Sequence, residues 1–185
     1  MENPTPTPLS EGRFVPEVEE ALRAAGWFPG RVAPKVQLEK WLVIDRTPNG
    51  NPFQIRMFSA AWRIMREFGG LTIATLPVRQ GYHETITFDP LWVGQSWWNE
   101  IFWMAEWEGV PVYPLGITKE EIIAVTGQGQ IINDDDHVRG NTIEEALTNI
   151  LMGQLVPLPL REIDPVREQE ASYWLEPMRK RFDQR

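Results

Sequence analysis

The sequence has no cysteine among its 185 residues. Disulfide bonds, thiolate nucleophiles and cysteine-based zinc sites are therefore excluded. A chain without cysteine fits a reducing compartment, and we expect a cytoplasmic protein. Hydrophobic runs are also short: none reaches the roughly 18 residues that a membrane span needs, so we expect a soluble chain. Because residues 1–12 contain prolines and glutamates but no apolar run, we expect no signal peptide.

Histidine is scarce, with His83 and His137 as the two examples. His137 follows the run Asp134, Asp135 and Asp136, which raises the possibility of a metal site. Adjacent residues of an extended chain point in different directions, and a calcium loop of the EF-hand type needs spaced ligands and a central glycine. We therefore interpret the run as a solvated turn between a strand and a helix, and we predict no metal site and no cofactor.

Known catalytic motifs are missing as well. The sequence has no Gly-x-Ser-x-Gly, no His-Glu-x-x-His and no phosphate-binding Gly-Lys-Ser/Thr. The segment 127–129 (GQG) lacks the third glycine of a dinucleotide fingerprint, and we predict that it is the loop of a β-hairpin. We assign no catalytic residue and do not expect an enzyme, although a catalytic site assembled from distant positions would leave no such motif.

Acidic residues and tryptophan are abundant. The formal net charge is -8, and nine tryptophans are present. An acidic surface repels phosphate backbones and attracts basic proteins, so a protein partner is expected rather than nucleic acid. Solubility alone is the alternative explanation of the charge.

The helical and strand patterns predict an α+β fold with a mostly antiparallel sheet and helices packed on it. A first helix starts at Pro16 and is capped by Gly26. Residues 36–45 fit a strand or a helix, and helix is favoured. A stronger helix ends near Phe68, where Gly69 and Gly70 separate the helical half from the sheet. Its predicted apolar face includes Trp62.

Further elements follow in the second half of the chain. Ser96 is placed to cap a helix at 97–108, and Thr142 with Glu145 forms a capping box for a helix at 142–152. We predict strands at 71–76, 84–88, 110–115, 122–126 and 130–133. The expected organisation is a disordered leader at 1–13, one domain at 14–153, and a C-terminal extension at 154–185 whose charged part favours another helix.

Two acidic clusters are the candidate partner-binding residues. The first combines indoles and carboxylates and consists of Trp103, Glu106, Trp107 and Glu108. The second is Asp134, Asp135 and Asp136. Acid around an exposed indole suits a basic protein partner, since buried aromatic anchors dominate many interfaces. The alternative is that these indoles belong to the core.

Six short motifs occur in an order that matches a known family. They are 24–31 (AAGWFPGR), 67–71 (EFGGL), 88–90 (FDP), 112–116 (VYPLG), 129–131 (GQI) and 140–147 (GNTIEEAL). The chain resembles the SUKH superfamily of immunity proteins, closest to its third subgroup, from Phe14 to Gly153. Ile117 and Thr118 depart from the family pattern, in which an acidic residue is common after the VYPLG motif.

The resemblance implies an α+β domain that acts as the antidote of a bacterial polymorphic toxin system. Such a protein binds a cognate toxin, often a nuclease or a deaminase, and blocks it in the cytoplasm. The family contributes no catalytic residues, and its toxin-facing surface varies. Some superfamily members are general interaction modules outside toxin systems, which is the alternative function.

Overall fold

This computed structural model describes residues 12–46, 53–74, 85–93, 101, 104–105, 109–119, 121–134 and 138–153. Helix α1 (Pro16–Ala24) is the first helix of this part of the chain. The helix begins at its proline and buries Val18 and Leu22, as predicted. Gly26 has a φ of 92°, in the left-handed region that glycine adopts readily. Its N–H bonds to Arg23 O and the next N–H to Leu22 O, which ends the helix in a Schellman motif.

The segment predicted as one helix at 36–45 divides into two elements. Helix α2 (Lys35–Trp41) ends at its tryptophan, and strand β1 (Val43–Arg46) pairs antiparallel with strand β2 (Phe53–Arg56). The prediction of helix was therefore wrong for the last residues. Ile44 is buried and pairs with Ile55 across the hairpin, so tertiary pairing decides the conformation of this β-branched stretch.

Helix α3 (Ser59–Phe68) packs on the central sheet with an apolar stripe. The buried residues of this stripe are Ala60, Ala61, Ile64, Met65 and Phe68. Trp62 lies outside the stripe and is 36% exposed, which corrects its predicted place on the apolar face. The helix ends at the predicted glycines: Gly70 has a φ of 80° and its N–H donates to Phe88 O at 2.7 Å.

The six-stranded sheet is an antiparallel meander in the order β3 to β8. Its strands are β3 (Thr72–Ala74), β4 (Thr85–Thr87), β5 (Val112–Ile117), β6 (Ile122–Thr126), β7 (Ile131–Asn133) and β8 (Val138–Gly140). Every residue of β6 and β7 is buried, so both faces of the sheet are covered at its centre. The fold class is α+β, as predicted, and β8 is an additional strand.

The hairpin between β6 and β7 has the predicted glycine loop. Gly129 has a φ of 91°, and Thr126 N donates to Gln130 O at 2.9 Å across the loop. The acidic run that begins at Asp134 follows β7 and precedes β8. Its predicted position between a strand and a helix is therefore wrong, because residues 138–140 pair with β7 before the last helix begins.

Helix α4 (Ile143–Leu151) starts at the predicted cap. Thr142 Oγ1 accepts a hydrogen bond from Glu145 N at 3.2 Å, and the Glu145 carboxylate accepts one from Asn141 N at 2.7 Å. The predicted helix at 97–108 lies largely outside the described residues, although residues 101, 104 and 105 are helical. Within the described ranges, no helix has the length and hydrophobicity needed to cross a membrane.

Candidate functional site

An open groove of about 850 Å³ lies where the two halves of the chain meet. The loop after α1, the exposed side of α3, the β6–β7 loop and the start of α4 form its walls. The charged residues that line it are Arg13, Arg31, Arg63, Arg66, Glu67 and Glu144. Four arginines and two glutamates give this lining a positive balance, in contrast to the net charge of -8 of the chain.

Trp27 fixes the loop wall of the groove. Its side chain is 2% exposed, and its ring packs edge-to-face on Phe14 with 5.4 Å between the centroids. Its indole Nε1 donates a hydrogen bond to Glu67 Oε1 on α3 at 2.9 Å. The indole therefore supplies both apolar burial and a polar anchor, which holds the loop against α3.

Arg31 joins the same loop to the end of α3. Its guanidinium donates to Glu67 O and, at 2.9 Å, to Gly69 O. Nearby, Ala33 N donates to Arg66 O at 2.7 Å. Burial lowers the pKa of Arg31 and the charge of Glu67 opposes this shift, but an arginine remains charged. The cation thus satisfies carbonyls at the negative end of the helix and stiffens this wall.

Arg13 connects the start of the domain to both α3 and α4. Its guanidinium contacts Glu67 Oε1 at 2.6 Å and Glu144 Oε1 at 2.7 Å. Burial alone would lower the pKa of Arg13. The hydrogen bonds to Glu67 and Glu144 and the attraction of their charges outweigh this effect, so the pKa of Arg13 is raised. Burial acts to raise the pKa of Glu144, and hydrogen bonds from its own backbone, Arg13 and Thr142 reverse that and lower it.

The pKa shift of Glu144 makes stability depend on acid pH. The stabilisation is present above the ordinary pKa of 4.5 and is lost as the pH falls through the lowered pKa of the folded protein. We expect Glu144→Gln to reduce the free energy of unfolding by about 1 kcal/mol at pH 7. The difference from the unsubstituted protein should shrink as urea denaturation is repeated below pH 4.5.

Glu20→Gln is the matched control for this pH dependence, because Glu20 is exposed on α1. We expect it to leave the unfolding free energy within about 0.5 kcal/mol of the unsubstituted value at each pH. A difference for Glu144→Gln that stays constant between pH 7 and pH 3 would contradict a role for the ionised carboxylate.

Trp62, Arg63 and Arg66 form the outer face of α3, which we call the arginine face. Both arginines are exposed, and neither has an ion-pair partner among the residues that the structure describes. Val32, in the loop that also lines the groove, is 52% exposed. The sequence reasoning missed this face, although Trp62 and Arg66 are four residues apart in a helix and therefore neighbours on its surface.

Asp134 is the described member of the predicted binding residues. It lies at the end of β7, and its Oδ1 accepts a hydrogen bond from Ile122 N, the first residue of β6, at 3.0 Å. This carboxylate therefore has a structural role at a strand end and does not line the groove. The other candidates, Trp103, Glu106, Trp107, Glu108, Asp135 and Asp136, lie outside the described residues and remain predictions.

A metal-binding cluster is not found in the described residues, where no three His, Asp or Glu side chains come together.

Comparison with curated proteins and with solved structures gives no significant match. Comparison with protein families gives a match: the SUKH-3 immunity protein family matches residues 14–153. That range includes every helix and strand described above. The chain therefore belongs to the SUKH-3 immunity protein family.

Proposed function

We propose that this protein binds a cognate bacterial toxin and neutralises it by stoichiometric occlusion. The observation that carries the proposal is the family match across residues 14–153, the part of the chain that contains the whole described fold. An immunity function needs a stable scaffold with a partner-specific surface. The buried central strands supply the first requirement, and the groove with its exposed indole and arginines supplies a candidate for the second.

The toxin that we propose is a nuclease or a deaminase domain of a polymorphic toxin system, and the protein blocks it in the cytoplasm without any catalysis of its own. This choice rests on the family resemblance. A toxin that enzymatically damages nucleic acids must be stopped quickly, so fast association is favoured. The net charge of -8 provides long-range attraction for a basic toxin domain, and such steering can raise association rates toward about 10⁸ M⁻¹s⁻¹ at low salt.

Co-expression tests the immunity function directly. The probe is the C-terminal domain of the protein encoded in the adjacent reading frame, where the proposed function expects the toxin, expressed from an inducible promoter with and without this protein. We expect cells to survive when both are present and the purified pair to form a stable complex. Equal cell death in both cultures, with no complex in vitro, would exclude immunity. Binding to endogenous proteins without any protection would instead favour a general interaction module.

The predicted acidic cluster gives a kinetic expectation. Replacing Glu106 and Glu108 with serine should slow association with the toxin domain and flatten its salt dependence, because long-range attraction falls with the charge. Trp107→Ala should mainly speed dissociation, by about 30-fold if the indole is a central anchor. Stopped-flow binding at several salt concentrations measures both rates.

A matched pair of substitutions separates a local surface from the general charge of the protein. Glu17 and Glu20 are exposed on α1, and their replacement by serine removes the same formal charge. We expect this control to slow association less than the pair at 106 and 108. Identical effects of the two pairs would contradict a binding surface at the first cluster.

A further inference from the structure

We propose that the arginine face of α3 is a docking site for an acidic segment of the toxin. The inference rests on the proposed function and specifies where one part of the toxin binds and which chemistry it presents. The face is defined by Trp62, Arg63 and Arg66, and the exposed Val32 lines the same groove.

The acidic residues that line the groove have ion-pair partners within the described part of the chain, whereas two of its arginines do not. Glu67 and Glu144 are both engaged by Arg13 at 2.6 and 2.7 Å, and Arg31 brings a second positive charge near Glu67, so both acidic groups of the lining already have positively charged partners within the fold. Arg63 and Arg66 have no such acidic partner in the described ranges. A chain with a net charge of -8 therefore presents a local positive surface, which complements carboxylates.

The same face has the composition of an interface centre. Like charges three residues apart in a helix destabilise it by roughly 0.2–0.5 kcal/mol, so Arg63 and Arg66 do not contribute to helix stability through each other. Trp62 is 36% exposed beside them. Tryptophan and arginine are the residue types most enriched where interfaces concentrate their binding energy.

Arginine also favours a carboxylate partner by its geometry. The guanidinium is planar and donates two parallel hydrogen bonds to one carboxylate, which an ammonium group cannot do. The indole and the Val32 side chain both line the groove and offer apolar contacts there. The occupant that fits is an extended protein segment with acidic side chains and at least one apolar side chain.

The walls of this groove are fixed before any partner arrives. Trp27 and Arg31 both hold the loop wall to α3 through hydrogen bonds to Glu67 and Gly69. A site whose walls are already ordered loses less conformational entropy on binding. The acidic remainder of the surface would attract the toxin, and docking at the arginine face would then fix its orientation.

Charge reversal of the arginine face tests the proposal in the full-length protein. The probe is the same adjacent-frame toxin domain, and its dissociation constant is measured by calorimetry. We expect Arg63→Glu combined with Arg66→Glu to raise the Kd by at least about 100-fold, since each lost charged contact costs on the order of tenfold. Trp62→Ala should raise the Kd by about 30-fold.

Two control variants carry the same kinds of substitution at exposed positions outside the arginine face. Lys40→Glu reverses an exposed charge on α2, and Trp92→Ala removes an indole that is 66% exposed in the turn Pro90–Trp92. We expect both to change the Kd by less than about threefold, because exposed residues outside an interface have small effects. Circular dichroism and thermal melting of each variant establish that loss of binding does not come from loss of folding.

The outcomes separate this inference from the proposed function. If the unsubstituted protein binds the toxin domain and the double reversal binds as tightly or more tightly, the docking site is excluded while immunity stands. If the unsubstituted protein does not bind the toxin domain, both the docking site and the immunity function are excluded. A photoreactive benzoylphenylalanine in place of Trp62 gives a second test, since it should cross-link to an acidic toxin peptide. A basic toxin peptide, or a peptide of this chain itself, would overturn the inference.

Discussion

Gly116→Ala is expected to lower the free energy of unfolding by at least about 3 kcal/mol. A Cβ at this position of β5 would lie 1.9 Å from Thr87 O and 3.0 Å from Phe88 Cα. These are backbone atoms of β4 and the residue after it, so no change of rotamer relieves the contact. The two strands would have to separate at Thr87 and Ile117, the paired residues that join the β3–β4 part of the sheet to the rest.

The position of this glycine explains why the effect should be large. The pairing of β5 with β6 shifts register between Pro114 and Gly116, so this point already accommodates an irregular strand. Total stabilities of domains are about 5–15 kcal/mol, and the expected loss is a large part of that. A fall in Tm of roughly 10 °C should be visible by circular dichroism.

Gly127→Ala is the control: it makes the same substitution in the β6–β7 loop of the same sheet, where a Cβ has room. Its Cβ would meet Pro111 Cδ at 3.4 Å, an ordinary van der Waals contact, and the residue is exposed in the hairpin loop. We expect a change within about 0.5 kcal/mol. Equal Tm values for the two alanine variants would show that the strands at Gly116 can move apart without cost.

The elements that the sequence predicts best are those with local signals. The cap of α1 depends on Gly26 and the cap of α4 on Thr142 and Glu145, residues within a few positions of the helix they terminate or begin. The glycines at 69–70 and 127–129 mark their turns in the same way. Such features follow from backbone sterics and short-range hydrogen bonds, which a single sequence displays directly.

The elements that were mistaken or missed depend on distant partners. Strand β1 was assigned to a helix because residues 36–45 fit both periods, and its pairing with β2 decides between them. Strand β8 is three residues long and pairs with β7. Gly140, at its end, allows close approach to α4: a Cβ there would lie 2.4 Å from Ala146 N. Such packing constraints do not appear in any local pattern.

The groove shows why the candidate site was harder to predict than the fold. Its central ion pairs join Arg13 to Glu67 and to Glu144, which is 131 residues away in sequence. Trp62 looked like a core residue because it recurs at helical spacing with other apolar residues such as Phe58 and Met65. Asp134 looked like a surface acid, but its carboxylate binds a backbone N–H of the neighbouring strand. Charge and hydrophobicity alone did not distinguish these roles.

Trp27→Ala is expected to lower the free energy of unfolding by about 3–5 kcal/mol, the usual cost of removing a buried aromatic side chain. The indole is almost fully buried, and its removal leaves a cavity beside Phe14 and beneath the loop wall of the groove. The loop also loses the hydrogen bond from the indole Nε1 to Glu67. Chemical denaturation at pH 7 measures the loss.

Trp27→Phe separates the packing role of this residue from its hydrogen bond. Phenylalanine retains an apolar ring against Phe14 but has no N–H, and Glu67 keeps its contact with Arg13 at 2.6 Å. We therefore expect a smaller loss of about 1–2 kcal/mol for this variant, from the missing hydrogen bond and the smaller ring. If the alanine variant were no less stable than the phenylalanine variant, the loop would be held by Arg31 and its carbonyl contacts rather than by the buried indole.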